Sequence, residues 1–231
     1  MAKTIGIVGG MTPESTTIYY EYITRTYQKR VGDYSFPEIL IYSVSFQQYE
    51  NWMTNGNWDL IANGLIRAVH SLIKAGAEFG VIATNTMHKV FDIIQEKSSI
   101  PLISIIDATA EAILKKEMET VGLLGTIFTM REAFYKNGLK KYGIKTIVPN
   151  DQEQKIVYEI IFKELGKGEI KKDSRQKVID IVHRLHVQGA EGVILGCTEI
   201  PLLITEKDCE VPLFDTARIH AEKALQYSLA K

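Results

Sequence analysis

Two short turns hold the side chains best suited to proton chemistry, Gly196-Cys197-Thr198-Glu199-Ile200-Pro201 and Ala83-Thr84-Asn85-Thr86-Met87-His88. Cys197 follows an apolar, strand-like run and precedes a short helix-like stretch. A helix N-terminus lowers a thiol's pKa from about 8.5 toward neutrality, so the expectation is a thiolate base near pH 7. Gly196 lets a ligand approach the backbone. An arbitrary cysteine is more often a small buried hydrophobe, but the strand-end position and the polar Thr198 favour chemistry. In the other turn, Thr84, Asn85 and Thr86 can all cap the helix that follows, which is more than helix stability needs. Their amides and hydroxyls suit a carboxylate, since exposed N–H groups and the helix dipole favour an anion.

An internal repeat pairs these turns. Gly76-Ala77-Glu78 lies eight residues before Thr84, and Gly189-Ala190-Glu191 eight before Cys197, a constant offset of 113 that sets Val81-Ile82-Ala83-Thr84 on Ile194-Leu195-Gly196-Cys197. Thr4-Ile5-Gly6-Ile7-Val8-Gly9 matches Thr120-Val121-Gly122-Leu123-Leu124-Gly125 at an offset of 116, and Ile100-Pro101-Leu102 matches Val211-Pro212-Leu213. Any one match could follow from composition; three in the same order imply two homologous halves. Halves related by a pseudo-twofold axis would present equivalent strand ends across one cleft, with Thr84 facing Cys197. The pair is unequal: a threonine hydroxyl is a poor general base, because an effective base titrates near the working pH.

The elements that must position these turns alternate along the chain. Apolar, β-branched runs fall at 3–9, 37–44, 79–83, 119–124, 145–148 and 192–196, with helix-like segments at 13–30, 58–75, 86–97, 151–165 and 174–188. This alternation implies an α/β fold with mostly parallel sheets, whose ligands bind beyond the carboxyl ends of the strands. Gly9-Gly10-Met11-Thr12-Pro13 is one such strand end, with Thr12 as helix cap and Pro13 in the first helical position. Gly125-Thr126 with Thr129 is its counterpart.

Other functions are excluded or disfavoured. The chain has 231 residues, 45% of them hydrophobic, enough for one large domain or two small ones. Its 27 Lys plus Arg nearly balance 28 Asp plus Glu, leaving no field to draw it to nucleic acid or to an anionic membrane. No apolar stretch approaches the roughly 18 residues of a membrane span, and MAKTIGIVGG has no signal-peptide pattern, so a cytoplasmic location is expected. There is no GxGxxG fingerprint, no phosphate-binding GxxxxGK[ST] loop and no GxSxG. His183 and His186 lack a third metal ligand nearby and read as a solvated helix face. Cys209, in the charged stretch Glu206–Glu210, has no counterpart in the first half and reads as a bystander.

At GIVGGM, ATNT, LLGT, GCTE and VPLFDTARIHAE the chain resembles the aspartate/glutamate racemase superfamily, and TNTMHK with GCTEI is similar to its bacterial broad-specificity amino-acid racemases. The resemblance covers essentially the whole chain. It implies two pseudo-symmetric α/β lobes with the active site between them: residues 1–101 with 210–231, and residues 102–209. Strands would swap near Pro101 and Pro212, and the C-terminal helix would return to the first lobe. It implies a homodimer acting on a small acidic amino acid with neither pyridoxal phosphate nor metal. In that family two cysteines flank the α-carbon; here Thr84 replaces the first. Cys197 would then abstract the α-proton of the L enantiomer, and Thr84 would return a proton on the opposite face. The resemblance places Met11, the loop Ser45-Phe46-Gln47-Gln48, Asn85, Thr86, Thr126, Thr198 and Glu199 at the substrate. Gly166 stands where some relatives carry a lysine for the distal carboxylate, so Lys167 or Lys163 would have to substitute. The alternatives are a single-cysteine decarboxylase or isomerase of the same fold, disfavoured by the polar Thr84-Asn85-Thr86 turn, and a non-catalytic amino-acid-binding module.

Overall fold

The computed structural model describes residues 2–230. In chain order the first half is β1 (Ile5–Gly9), α1 (Pro13–Val31), β2 (Ile39–Ser43), α2 (Phe46–Thr54), α3 (Trp58–Lys74), β3 (Phe79–Ile82), a 3-10 turn (Thr86–Val90), α4 (Phe91–Glu96) and β4 (Leu102–Ile103). The second is α5 (Ile105–Leu114), β5 (Thr120–Gly125), α6 (Ile127–Arg131), α7 (Ala133–Lys140), β6 (Lys145–Ile147), α8 (Asp151–Lys163), a 3-10 turn (Leu165–Lys167), α9 (Lys172–Val187), β7 (Gly192–Gly196), 3-10 turns Ile200–Leu202 and Glu206–Asp208, β8 (Leu213–Asp215) and α10 (Thr216–Leu229). The strands form two parallel four-stranded sheets, ordered β2-β1-β3-β4 and β6-β5-β7-β8. The α/β class read from the alternation is therefore the observed one.

The repeat extends to hydrogen-bond register. Ile5 pairs with Phe79 in the first sheet and Val121 with Gly192 in the second, the same two positions displaced by 116 and 113. Gly80 pairs with Leu102 and Val193 with Leu213. The Gly-Ala-Glu turns explain why the motif recurs. Gly76 and Gly189 both have φ of 103°, a left-handed conformation that favours glycine. Ala77 and Ala190 are buried, and their amides close the preceding helices on Leu72 and Leu185 at 3.0 Å. The glutamate then clips the start of the neighbouring strand. Glu78 accepts from the Thr4 amide at 2.7 Å, while Glu191 accepts from those of Glu119 and Thr120, both at 2.8 Å.

The chain forms two compact units, one running to Ile105 and resuming at Ala217, the other Ile106–Thr216. The passages fall within the first turns of α5 and α10, at positions 111 apart, as Leu102 and Leu213 are. The strand after each proline stays in its own half's sheet, so the changeover expected at Pro101 and Pro212 comes a few residues later and exchanges helices, not strands. Each proline starts an edge strand, where its missing N–H costs nothing. Its carbonyl still joins the ladder, Pro101 accepting from Gly80 and Pro212 from Val193, both at 2.9 Å.

Within the first unit, Ile5, Ile7, Phe79 and Val81 pack with Tyr19 and Ile23 of α1 and with Ala217, Ala221, Ala224 and Leu225 of α10. Within the second, Leu124, Val193 and Leu195 pack with Val157, Ile160 and Ile161 of α8 and Val178, Ile181 and Leu185 of α9. Burying each aliphatic side chain contributes about 1.5–3 kcal/mol. The predicted helix at 86–97 divides into a 3-10 turn and α4. Helices α2, α5, α6, α7 and α10 and the short strands β4 and β8 add to the periodic segments. Among the described residues no helix is long and apolar enough to cross a membrane.

A Cβ at Gly76 or Gly189 would meet no atom within 4 Å, so only backbone strain opposes a side chain there. Gly76→Ala and Gly189→Ala should each lower the unfolding free energy by about 1–3 kcal/mol, read from urea midpoints. Unchanged midpoints would remove the turns' claim to need glycine.

Candidate functional site

The Cys197 turn is fixed by the second sheet. Gly196 ends β7, and a Cβ there would lie 2.8 Å from the Leu124 carbonyl oxygen, so close strand packing requires glycine. Behind it, the buried Thr216 hydroxyl donates to the Leu195 carbonyl at 2.9 Å. Cys197 is 9% exposed and its carbonyl accepts from the Ile200 amide at 3.2 Å. Its Sγ donates to Glu199 Oε2 at 2.8 Å, and the Thr198 hydroxyl donates to the same oxygen at 2.9 Å.

This arrangement corrects the expected thiolate. Burial, then the negative charge of Glu199 and its hydrogen bond, push the Cys197 thiol well above the ordinary thiol range, against a weaker opposing pull from the Glu199 and Thr198 amides. The helical stretch that follows is a three-residue 3-10 turn, too short for a substantial dipole. At rest Cys197 is a thiol whose proton already points at a carboxylate.

The Thr84 turn is fixed by the first sheet. Thr84 is 9% exposed and follows β3, with the Ala83 amide bonded to the Val8 carbonyl at 2.9 Å. Among the described residues no group hydrogen-bonds the Thr84 hydroxyl. Asn85 and Thr86 are buried at the start of the 3-10 turn, and Asn85 occupies the cap position without making a side-chain capping bond. The expected capping role for this side chain is therefore absent.

Two buried histidines brace this unit. The Ile105 amide donates to His88 Nε2 at 3.0 Å, so Nδ1 carries the proton and donates to the Thr84 carbonyl at 2.8 Å. His220 donates from Nε2 to the Ile103 carbonyl at 2.8 Å, so Nδ1 accepts from the Tyr19 hydroxyl at 2.7 Å. His88 stacks on Phe91, with ring centroids 5.0 Å apart, and meets His220 edge-on. Burial, then the His220 charge, lowers His88 to about 3, and burial lowers His220 to about 4.

The other expected site residues divide between the two units and between interior and surface. Met11 is buried beside Gly10, whose amide donates to Thr16 Oγ1 at 2.8 Å. Ser45-Phe46-Gln47-Gln48 is the cap and first turn of α2, not a loop; Gln48 is exposed and Gln47 donates to Glu50 at 2.8 Å. Thr126 caps α6, accepting from the Thr129 amide at 3.3 Å. Lys167 is exposed at the end of its 3-10 turn, and Lys163 pairs with Glu159 at 3.0 Å. His183 Nδ1 lies 3.9 Å from Glu210, while His186 donates to the Ala190 carbonyl at 3.0 Å. Half-buried Cys209 is pushed up to about 11 by burial and by Asp208. Sequence reasoning overlooked Ser15 and His88. The signal for His88 is its four-residue spacing from Thr84 on a helical turn, which gives the ring reach back to that carbonyl.

Matched parallel sheets whose equivalent strands end at Thr84 and Cys197 define a doubled α/β architecture with proton-bearing groups beyond the strand ends. Residues 8–224 match the Asp/Glu/Hydantoin racemase family, and the chain belongs to that family. It is 26% identical to the broad specificity amino-acid racemase RacX of Bacillus subtilis over 98% of both chains. Among solved structures it is similar to an aspartate racemase homologue from Pyrococcus horikoshii OT3, 40% identical with a TM-score of 0.88 and 100% of both chains covered. It is also similar to a Yersinia pestis protein described provisionally as an Asp/Glu racemase, 42% identical with a TM-score of 0.93, covering 99% of this chain and 100% of that one.

Two predictions follow from the electrostatics. Both buried histidines have folded pKa values below the unfolded 6.5, so below about pH 6.5 the unfolded chain takes up protons that the native one refuses. Their stabilising contribution is complete above pH 6.5 and is lost as pH falls through about 4 and then 3. The urea midpoint should fall from pH 7 to pH 5, and two of the five histidines should show no NMR titration over that range. Titration of all five near 6.5 would contradict the buried network. Removing the Glu199 charge should lower the Cys197 thiol pKa. Glu199→Gln in a Cys209→Ser background should therefore react faster with iodoacetamide at pH 8, and an equal or slower rate would show that Glu199 does not govern the thiol.

Proposed function

We propose that the protein is a cofactor-independent racemase of acidic amino acids, with aspartate and glutamate as candidate substrates. The observation that carries the reading is the Cys197 thiol bonded to the Glu199 carboxylate at a strand end equivalent to that of Thr84. Membership of the racemase family and the likeness to RacX support the reaction class.

In this reading Glu199 takes the thiol proton and Cys197 removes the α-proton of the L enantiomer. Thr84 delivers a proton to the opposite face of the resulting carbanion, and its hydroxyl is reprotonated from solvent. Asn85, Thr86 and Thr198 bind the α-carboxylate and stabilise the enolate-like charge. Met11, Gln48 and Thr126 complete the substrate contacts, and Lys167 serves the distal carboxylate. Neither pyridoxal phosphate nor metal is required. The protein acts in the cytoplasm as a homodimer.

The unequal pair has a kinetic signature. Racemisation has an equilibrium constant near one, so kcat/KM must be equal in the two directions. The thiol and the hydroxyl differ as bases, so kcat should be higher from L than from D. The test incubates the protein in deuterium oxide with L- or D-aspartate and L- or D-glutamate, following optical rotation and deuterium at the α-carbon. At least one pair should interconvert with α-deuteration. Cys197→Ala should abolish both signals, and Thr84→Ala should lower kcat/KM by about 10²–10⁴-fold. Absence of α-deuteration with all four substrates would leave a binding module, release of carbon dioxide from a substituted malonate would favour a decarboxylase, and equal kcat from L and D would overturn the asymmetry.

A further inference from the structure

The two peptide planes flanking Thr84 are both held by buried side chains. On the N-terminal side, the Ser15 hydroxyl of α1 reaches the Ala83 carbonyl at 3.1 Å and the Thr12 carbonyl at 2.8 Å. Ser15 has no exposed surface. On the C-terminal side, His88 Nδ1–H donates to the Thr84 carbonyl at 2.8 Å. The ring cannot rotate to another role, because Nε2 is occupied by the Ile105 amide at 3.0 Å and its face is stacked on Phe91. Orientation of the Ala83 carbonyl constrains φ of Thr84, and orientation of the Thr84 carbonyl constrains ψ. Together they fix the direction of its Cα–Cβ bond.

The corresponding turn in the second half is built differently. There the Cys197 carbonyl is taken by a backbone group, the Ile200 amide at 3.2 Å. Although the Thr216 hydroxyl holds the Leu195 carbonyl two residues before Cys197, a side-chain bond to the strand-end residue's own carbonyl is therefore not a general requirement for closing this turn. It occurs at the position whose proton-bearing atom is a hydroxyl.

We propose that Ser15 and His88 are positioning residues that clamp the Thr84 backbone and aim its hydroxyl for proton transfer, an inference that rests on the racemase reading. The hydroxyl is the weaker of the two acid–base groups, so its transfer step has least tolerance for misalignment. A displacement of about 1 Å can cost about 10²-fold in rate. His88 touches no reacting atom; it acts through the Thr84 peptide.

The experiment measures α-deuterium isotope effects on kcat/KM with L and D substrate for the wild-type protein, His88→Ala, His88→Asn and Ser15→Ala. Asparagine retains an N–H donor near the Nδ1 position and loses the acceptor for Ile105. If the clamp serves the Thr84 step, His88→Ala slows transfer on the Thr84 face alone. Its kcat/KM should fall about 10- to 100-fold in both directions. The isotope effect should rise with D substrate, whose proton leaves on the slowed face, and fall toward one with L substrate, whose abstraction becomes reversible. Ser15→Ala should shift both in the same sense, and His88→Asn should restore much of the wild-type pattern. A loss of folded protein alone would reduce activity and leave both isotope effects unchanged, which would overturn the proposal. A wild-type protein that racemises none of the four substrates overturns the racemase reading instead, and the clamp loses its purpose with it.

Discussion

The parallel pairing of β1 with β3, and of β5 with β7, is the constraint on which the rest of the structure depends. Side chains alternate faces along a strand, so a slip of one residue would invert every buried position and move each strand-end residue off its turn. The register is held at the entry of each pair by one device, a left-handed glycine followed by a buried alanine and a glutamate that bonds the neighbouring strand's amides. It is held at the exit by close strand packing at Gly125 and Gly196 and, in the first pair, by Gly9 lying against Thr16 of α1, so that no Cβ fits at these positions without displacing a neighbour. With both ends set, the fifth residue after each clipping Glu-Phe or Glu-Gly step falls beyond the sheet, and there stand Thr84 and Cys197.

Equivalent backbone positions nonetheless have different electrostatics. Cys197 is buried in the apolar cluster of the second unit and bonded to one carboxylate, so its proton is held by burial and by charge and has an acceptor 2.8 Å away. Thr84 faces no such group, and its surroundings act on the backbone instead, through Ser15 and His88. One turn is thus built around acidity and the other around orientation, in keeping with the intrinsic gap between a thiol and an alcohol. The two buried histidines of the first unit, His88 and His220, belong to the framework of that turn. Each has one donor and one acceptor bond that only the neutral ring satisfies, so their low pKa values describe structural groups rather than proton carriers.

The two units also show how a repeat can be joined without breaking its sheets. Each half completes its own four strands and then yields the following helix to the other unit, the chain passing after Ile105 and again after Thr216. The prolines that seem from sequence to mark the changeover start edge strands, where a missing N–H is tolerated and the carbonyl still serves the ladder.

Local chemistry made much of this legible in the sequence. Apolar runs mark six of the eight strands, and the Gly-Ala-Glu offset sets Thr84 on Cys197, because a turn that needs a left-handed glycine and a clipping glutamate leaves a fixed residue signature. Strands β4 and β8 carry too few residues for periodicity, α2, α6 and α7 are short, and α5 is buried on most of its surface. The buried face of α10 is made largely of small or polar residues, Thr216, Ala217, His220, Ala221, Ala224 and Ser228, which leave no strongly apolar stripe. The acidity of Cys197 lay beyond the sequence for a different reason. Its neighbours promised amides and a helix dipole, but the sign of the shift depends on how deeply the thiol is buried and on whether the Glu199 side chain turns back toward it. The bond from His88 to Thr84 is local, but the Ile105 amide and the His220 ring that hold His88, and the Ala83 carbonyl that Ser15 reaches, come from other segments of the chain. Sequence therefore determined which residues stand at the strand ends, and tertiary structure decided their protonation and aim, since desolvation and hydrogen-bond geometry arise only when remote segments pack together.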